Sequence, residues 1–187
     1  APYAEKVSSY LVEVYMNTRS YDAALKSIDR IAKPSAQILE AKQKILFQLG
    51  TQSFANADFE QALKYLNQSI AIGQYNRQTK ADAYYWCGES YYRLNRMVEA
   101  ARDFNAYLQL TTQPNNEMYA LANYNLGYIA FHRKDYTQAS NYFQKYIQLE
   151  KGENTTALAD AYNRIGDCHL HVRNFEEAKH YLSLIHI

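Results

Sequence analysis

The five consecutive residues Asp167-Cys168-His169-Leu170-His171 gather more metal-ligating chemistry than any other stretch of the chain. On a helix, Asp167 and His171 stand four apart and share a face, and Cys168 and His171 stand three apart. A zinc-type centre needs three or four convergent ligands, with outer hydrogen bonds to aim them. His169 falls on another face, and His180 and His186 do not complete a set. The run therefore reads as packing residues, with no metal and no cofactor expected. Catalytic signatures are also missing: there is no GxSxG, no phosphate-cradling glycine loop and no HExxH. Carboxylate pairs such as Glu176-Glu177 read as solvated helix faces. Cys87 and Cys168 fall on apolar helical positions far apart in the chain, so they read as small core residues and not as a disulfide. No catalytic residue is assigned, and the chain is not expected to be an enzyme.

The elements that position these residues repeat. A small residue recurs at Ala24, Ala62, Ala100, Ala139 and Ala178, in steps of 38, 38, 39 and 39. Three residues before each stands a large apolar group: Tyr21, Phe59, Met97, Tyr136, Phe175. Four residues after each stands another: Ile28, Leu66, Phe104, Phe143, Leu182. Twelve residues before each lies Val12, Gly50, Gly88, Gly127 or Gly166. A period in this range marks a stacked helical array. Small residues let two helix backbones approach while large neighbours fill the flanking grooves. A glycine inside a helix costs about 1 kcal/mol against alanine, so four copies accepting that cost predict a close crossing there. One hairpin cannot bury its apolar face alone, but the next hairpin stacked on it can.

The stretch Tyr84 to Leu110 shows the unit: two amphipathic helices broken at Asn95-Arg96, the first holding Gly88 and the second Ala100 and Phe104. With Leu49-Gly50, Leu126-Gly127, Tyr91, and the runs from Asp58-Phe59 to Ala62 and from Asp135-Tyr136 to Ala139, the chain resembles the tetratricopeptide repeat family. The resemblance implies an all-α, right-handed superhelical solenoid of about five helix-turn-helix repeats, near 3–34, 35–73, 80–112, 117–150 and 155–187. The spacing departs from the family's 34-residue standard. The closing proline appears only as Pro34 and loosely as Pro114. Helix-capping signals are Ser20, Asp58 with Gln61, Asp135 with Gln138, and Asn174 with Glu177. The segment from Gln74 to Thr79 reads as a polar loop, and ten helices without a strand follow.

The bulk properties agree with one array over 1–187, either a single domain or one continuous piece of a longer array. Hydrophobic content is 48% and net charge +1. A nucleic-acid binder would show a basic stripe, so no such partner is expected. No apolar run is long enough to insert into a membrane. Glycine and proline number only six and three, leaving no flexible linker, while tyrosine is abundant at 19. Tyrosines at such density pack between helices with the hydroxyl reaching water. The chain starts almost inside a helix. Its last residues, 182–187 (LSLIHI), are the in-frame translation of CTG TCT CTT ATA CAC ATC, which matches a sequencing-library transposon adapter. This tail is expected to be non-native.

In the family the first helices of successive repeats line a concave face. The resemblance implies that Tyr10, Glu13 and Asn17 lie there from the first repeat, and Lys44, Phe47, Thr51 and Phe54 from the second. The third gives Asp82, Tyr85, Glu89, Tyr92 and Arg93. The fourth gives Leu121, Tyr124, Tyr128, Phe131 and His132, and the fifth Asp160, Asn163, Asp167 and His171. Within this set Phe47, Phe54, Tyr85, Glu89, Tyr92, Arg93, Tyr124, Tyr128, Phe131 and His132 are the expected peptide-binding residues. Amphipathic aromatics beside hydrogen-bonding groups suit an extended peptide or a partner helix. The family's carboxylate clamp is not matched, because Phe47, Thr51, Tyr85 and Trp86 stand where polar clamp groups are needed. The expected function is a non-enzymatic protein-interaction scaffold. The alternative is the sensor or regulatory portion of a larger bacterial signalling protein. The long, tyrosine-rich repeats also look like bacterial envelope proteins of the Tol-Pal accessory and outer-membrane assembly type, which implies a periplasmic location.

Overall fold

The computed structural model describes residues 2–152 and 154–186. Glu153, in the fourth connection, and Ile187, at the end of the suspected tail, lie outside the described residues, as do the side chains of Tyr3 and His186. Among the described residues the chain forms ten α-helices. They are α1 (Pro2–Asn17), α2 (Tyr21–Asp29), α3 (Ala36–Ala55), α4 (Phe59–Ile72) and α5 (Arg77–Arg93), then α6 (Met97–Leu110), α7 (Glu117–His132), α8 (Tyr136–Leu149), α9 (Thr155–His171) and α10 (Phe175–Ser183). A 3₁₀ turn over Leu184–His186 follows. The chain divides into two compact units, 1–112 and 113–187, and the boundary falls in the Thr111–Asn116 connection.

Within the first unit α1–α2, α3–α4 and α5–α6 are antiparallel hairpins, with α2 packed on α3 and α4 on α5. Within the second, α7–α8 and α9–α10 are hairpins and α8 packs on α9. The repeat anchors form the cores. Ala24, Ala62, Ala100, Ala139 and Ala178 are all buried, as are Ile28, Leu66, Phe104 and Phe143.

The expected close crossing is present at all four glycines. A Cβ on Gly50 would lie 2.5 Å from Leu66 Cγ, and on Gly88 2.8 Å from Phe104 Cδ1. On Gly127 it would lie 2.8 Å from Phe143 Cε1, and on Gly166 2.7 Å from Leu182 Cδ2. Each glycine thus receives the large residue that stands four positions after the small one. Leu182, the first residue of the suspected tail, fills the same place as Leu66 and Phe143.

The turn inside each hairpin is one motif repeated five times. Arg19, Ala57, Asn95, Lys134 and Arg173 adopt positive φ of 56–62°. Around Ala57, its N–H donates to Phe54 O at 2.9 Å and the Asp58 N–H donates to Ser53 O at 2.9 Å. The same pair recurs at Lys134 (to Phe131 O) and Asp135 (to Ala130 O), at 2.9 and 3.0 Å. This is a Schellman closure, which satisfies the last carbonyls of one helix with the N–H groups that lead into the next. None of the five left-handed positions is glycine, so the residue that usually marks such a closure is absent.

The closure alters the expected caps. Asp58 Oδ1 accepts from the Gln61 N–H at 3.1 Å, and Asp135 Oδ1 from the Gln138 N–H at 3.2 Å. The return arm of a capping box cannot form, because the N-cap N–H already donates to the preceding helix. Ser20 and Asn174, expected as caps, make no side-chain cap bond. Ser20 Oγ lies 3.1 Å from Thr18 Oγ1 instead. The expected Gln74–Thr79 loop is shorter: Asn76 caps α5 by accepting from the Thr79 N–H at 2.9 Å, so residues 77–79 are helical. Buried Gln43 holds this connection from below. It donates to Asn76 O at 2.8 Å and accepts from the Asn76 N–H at 3.0 Å.

Candidate protein-interaction surface

In the first unit the aromatic residues expected on the first helices have divided fates. Phe54 is half-buried between hairpins, edge-on to Phe59 at 5.3 Å and 4.9 Å from Trp86. Phe47 is half-buried, and nearby Lys44 pairs with Glu40 at 2.7 Å. Tyr85 corrects the expectation of a groove contact. It is 4% exposed and turns toward its own second helix, with ring centroids 5.8 Å from Phe104 and 5.3 Å from Tyr107. Its position three before Gly88 looks into the hairpin core, where aromatic edges are buried with profit. Tyr92 is half-buried beside Glu89, and Arg93 is exposed at the helix end. Burial, then the Glu89 charge, raises the Tyr92 hydroxyl above the ordinary phenol range, so it remains a donor.

In the second unit the expected residues of α7 and α9 come together. The hydroxyls of Tyr124 (at 2.8 Å) and Tyr128 both donate to Asp160 Oδ2. The other Asp160 oxygen lies 3.6 Å from Arg164 Nε, and Arg164 Nη1 lies 2.8 Å from Asp167 Oδ2. The Arg164 guanidinium stands over the Phe131 ring at 5.7 Å, a cation–π arrangement. Phe131 is edge-on to Tyr136 at 5.5 Å and to His171 at 6.1 Å. Tyr136 and His171 stack at 4.2 Å, with planes 5° apart. His132 is exposed, 6.3 Å from the Tyr128 ring. Burial foremost, with the bond to Asp160 next, pushes the Tyr128 hydroxyl up to about 12 and drives Tyr124 well above its usual range. Both stay protonated and serve as neutral donors to a carboxylate.

Tyr124 occupies in its hairpin the place Tyr85 occupies in its own, 4.9 Å from Tyr146 and 5.8 Å from Phe143. The difference lies in the following repeat, where Asp160 draws the hydroxyl to the surface. Arg164 was absent from the expected set. Its signal was the charge spacing Asp160–Arg164–Asp167, which places opposite charges at i,i+4 and i,i+3 on one helix face. The metal-like run disperses: Cys168 is buried, His169 stacks near Tyr181 at 5.6 Å, and His171 lies on Tyr136. Burial raises the Cys168 thiol to about 11, and that of buried Cys87 further, so neither is a thiolate at neutral pH.

These units are stacked helix-turn-helix repeats with a polar, aromatic surface on the first helices. Two family profiles, both described as Tetratricopeptide repeat, match residues 47–117, and 120–152 with 159–184. The chain belongs to the tetratricopeptide repeat family. Solved structures share the fold at low identity. MamA is 18% identical, with 99% of this chain and 91% of that one covered and a TM-score of 0.64. BtubC from P. vanneervenii is 14% identical, covering 95% and 76%, with a TM-score of 0.66. YrrB, described as a TPR protein with an unusual peptide-binding site, is 16% identical, covering 93% and 80%, with a TM-score of 0.63. No curated protein matches by sequence. The likeness to Tol-Pal accessory and outer-membrane assembly proteins receives no support from these relatives. Among the described residues no helix is long and apolar enough to cross a membrane.

Proposed function

We propose that this protein is a non-enzymatic scaffold that binds a peptide or a partner helix on its first helices. The carrying observation is the face of α7 and α9, where Tyr124, Tyr128, Asp160 and Arg164 hold one another in fixed geometry. Rigid aromatics that lose little side-chain freedom, beside pre-aimed polar groups, make low-cost contact surfaces. Phe131 and His132 extend this patch. In the first unit Phe47, Phe54, Glu89, Tyr92 and Arg93 are the proposed contacts on α3 and α5. Membership of the repeat family supports a protein or peptide partner, and YrrB sets a precedent for peptide binding on this fold.

The test is affinity capture on immobilised protein with mass-spectrometric identification, run beside the Tyr92→Ala, Tyr128→Ala double variant. Bound partners should be lost from the variant while its circular dichroism stays unchanged. Partners retained at full yield by a folded variant would refute the assignment.

A further inference from the structure

Val7, Tyr10, Leu11 and Val14 share one face of α1, at i, i+3, i+4 and i+7. They are exposed by 50%, 63%, 39% and 53%. The repeat register gives Val7, Leu11 and Val14 counterparts in the other first helices, while Tyr10 falls at the half-buried positions of Gln48, Trp86, Asn125 and Arg164. Val7 matches Ile45, Ala83, Ala122 and Ala161; Leu11 matches Leu49, Cys87, Leu126 and Ile165. All eight counterparts are at most 5% exposed. Val14 matches Ser90, Ile129 and Cys168, each at most 2% exposed, and Gln52, which is exposed. Where α3, α5 and α9 present this face, the preceding second helix packs against the helix: α2 on α3, α4 on α5, α8 on α9. On α1 the apolar residues are kept, and among the described residues no preceding second helix covers them.

We propose that this face of α1 is the docking site for the second helix of a further repeat, carried on the N-terminal side of Pro2 in the same polypeptide. Continuity with three interfaces inside the chain identifies the occupant, because the Val7 and Leu11 positions are apolar and buried in each of α3, α5 and α9, and a second helix packs on each of those helices. The link is short. Second helices join the next first helix through residues 30–35, 73–76 and 150–154, so four to six residues suffice. A second copy stacked end to end fits poorly. Its α10, laid on this face, would bring exposed Lys179 to the place of buried Leu63, and burying that charge unpaired is costly.

The test compares hydrogen exchange in the chain 1–187 with the same chain carrying its native upstream residues. Covering α1 should slow its amides by about tenfold or more, since helix ends lacking buried contacts open locally. Leu11→Asp should erase that gain in the longer chain. In the chain 1–187 it should leave the unfolding midpoint within about 2 °C, as exposed substitutions do; Val7→Asp serves as a second variant. Equal exchange in both chains would overturn the proposal. So would upstream residues with no small residue 38 or 39 positions before Ala24, or a concentration-dependent dimer of the chain 1–187 with α1 protected.

Discussion

Gly88→Ala tests whether the helix crossing, not helix propensity, governs the repeat. By propensity alone alanine should stabilise α5 by about 1 kcal/mol. The geometry opposes this. The added Cβ would stand 2.8 Å from Phe104 Cδ1 and Cε1 and 3.0 Å from Cγ. Carbons prefer about 3.5–4.0 Å, so the ring would have to retreat by roughly 0.7–1.2 Å. It has little room, because Phe104 is fully buried with its neighbour Tyr85 5.8 Å away, and Tyr85 in turn lies against Tyr107 at 5.3 Å. Overpacking of this kind costs about 1–3 kcal/mol, and a confined aromatic ring belongs in the upper part of that range. The net expectation is a destabilisation of about 1–2 kcal/mol, a fall in midpoint of about 2–8 °C for a chain of this size. Urea unfolding followed by circular dichroism, with hydrogen exchange to locate the loss, measures it. Repeat arrays need not unfold in one step, so the exchange data decide where the cost falls. In a Phe104→Ala background, which removes the ring the added Cβ would strike, the penalty should shrink by at least half, giving a coupling energy of about 1 kcal/mol. A rise in stability on Gly88→Ala, or an identical penalty in both backgrounds, would refute the reasoning.

Two further outcomes are expected. Ala57→Gly should stabilise the second hairpin by roughly 0.5–1 kcal/mol, because Ala57 is exposed at φ 60° and glycine relieves the left-handed strain at a smaller entropic cost; a lower midpoint in thermal unfolding would count against the closure described. Asp103 is buried with Oδ1 accepting from Arg102 Nε at 2.7 Å, and burial raises its pKa. A raised folded pKa means that the native state holds the proton more tightly than the unfolded one. The favourable contribution is therefore complete below the unfolded pKa and is lost as pH rises through the folded value. The midpoint of Asp103→Asn relative to wild type should increase as pH rises from about 4 toward neutrality, and a pH-independent difference would contradict this.

The hairpins and their crossings were legible because five copies repeat the same small and large residues, so each position is read several times over. Gly50, Gly88, Gly127 and Gly166 announced the crossings directly, since only a close contact explains them. The turns were legible only in place. Arg19, Ala57, Asn95, Lys134 and Arg173 have no common chemistry, and their left-handed backbone is imposed by the hydrogen bonds of the two helices they join. For the same reason the reciprocal capping boxes did not form. The surface was harder to read, because register fixes a side chain's direction but not its fate. Tyr85 and Tyr124 hold equivalent places, and one is sealed in the core while the other is drawn out by a carboxylate 36 residues later. Arg164 is hard to see in the sequence because its role lies in the charge pattern with Asp160 and Asp167, not in any one of the three residues.

The Schellman closures have a mechanical consequence. Since the amide that opens each second helix is bonded to a carbonyl of the first, as at Asp58 to Ser53 and Asp135 to Ala130, the two arms of a hairpin behave as one stiff beam folded on itself. A load pulling along the chain would shear the contacts between neighbouring beams before it straightened any one of them. Compliance within each unit therefore resides in how one hairpin rides on the next. A surface made of side chains from consecutive hairpins, such as Tyr124 and Tyr128 with Asp160, is thereby a strain gauge, its hydroxyl-to-carboxylate distances reporting any change in stacking.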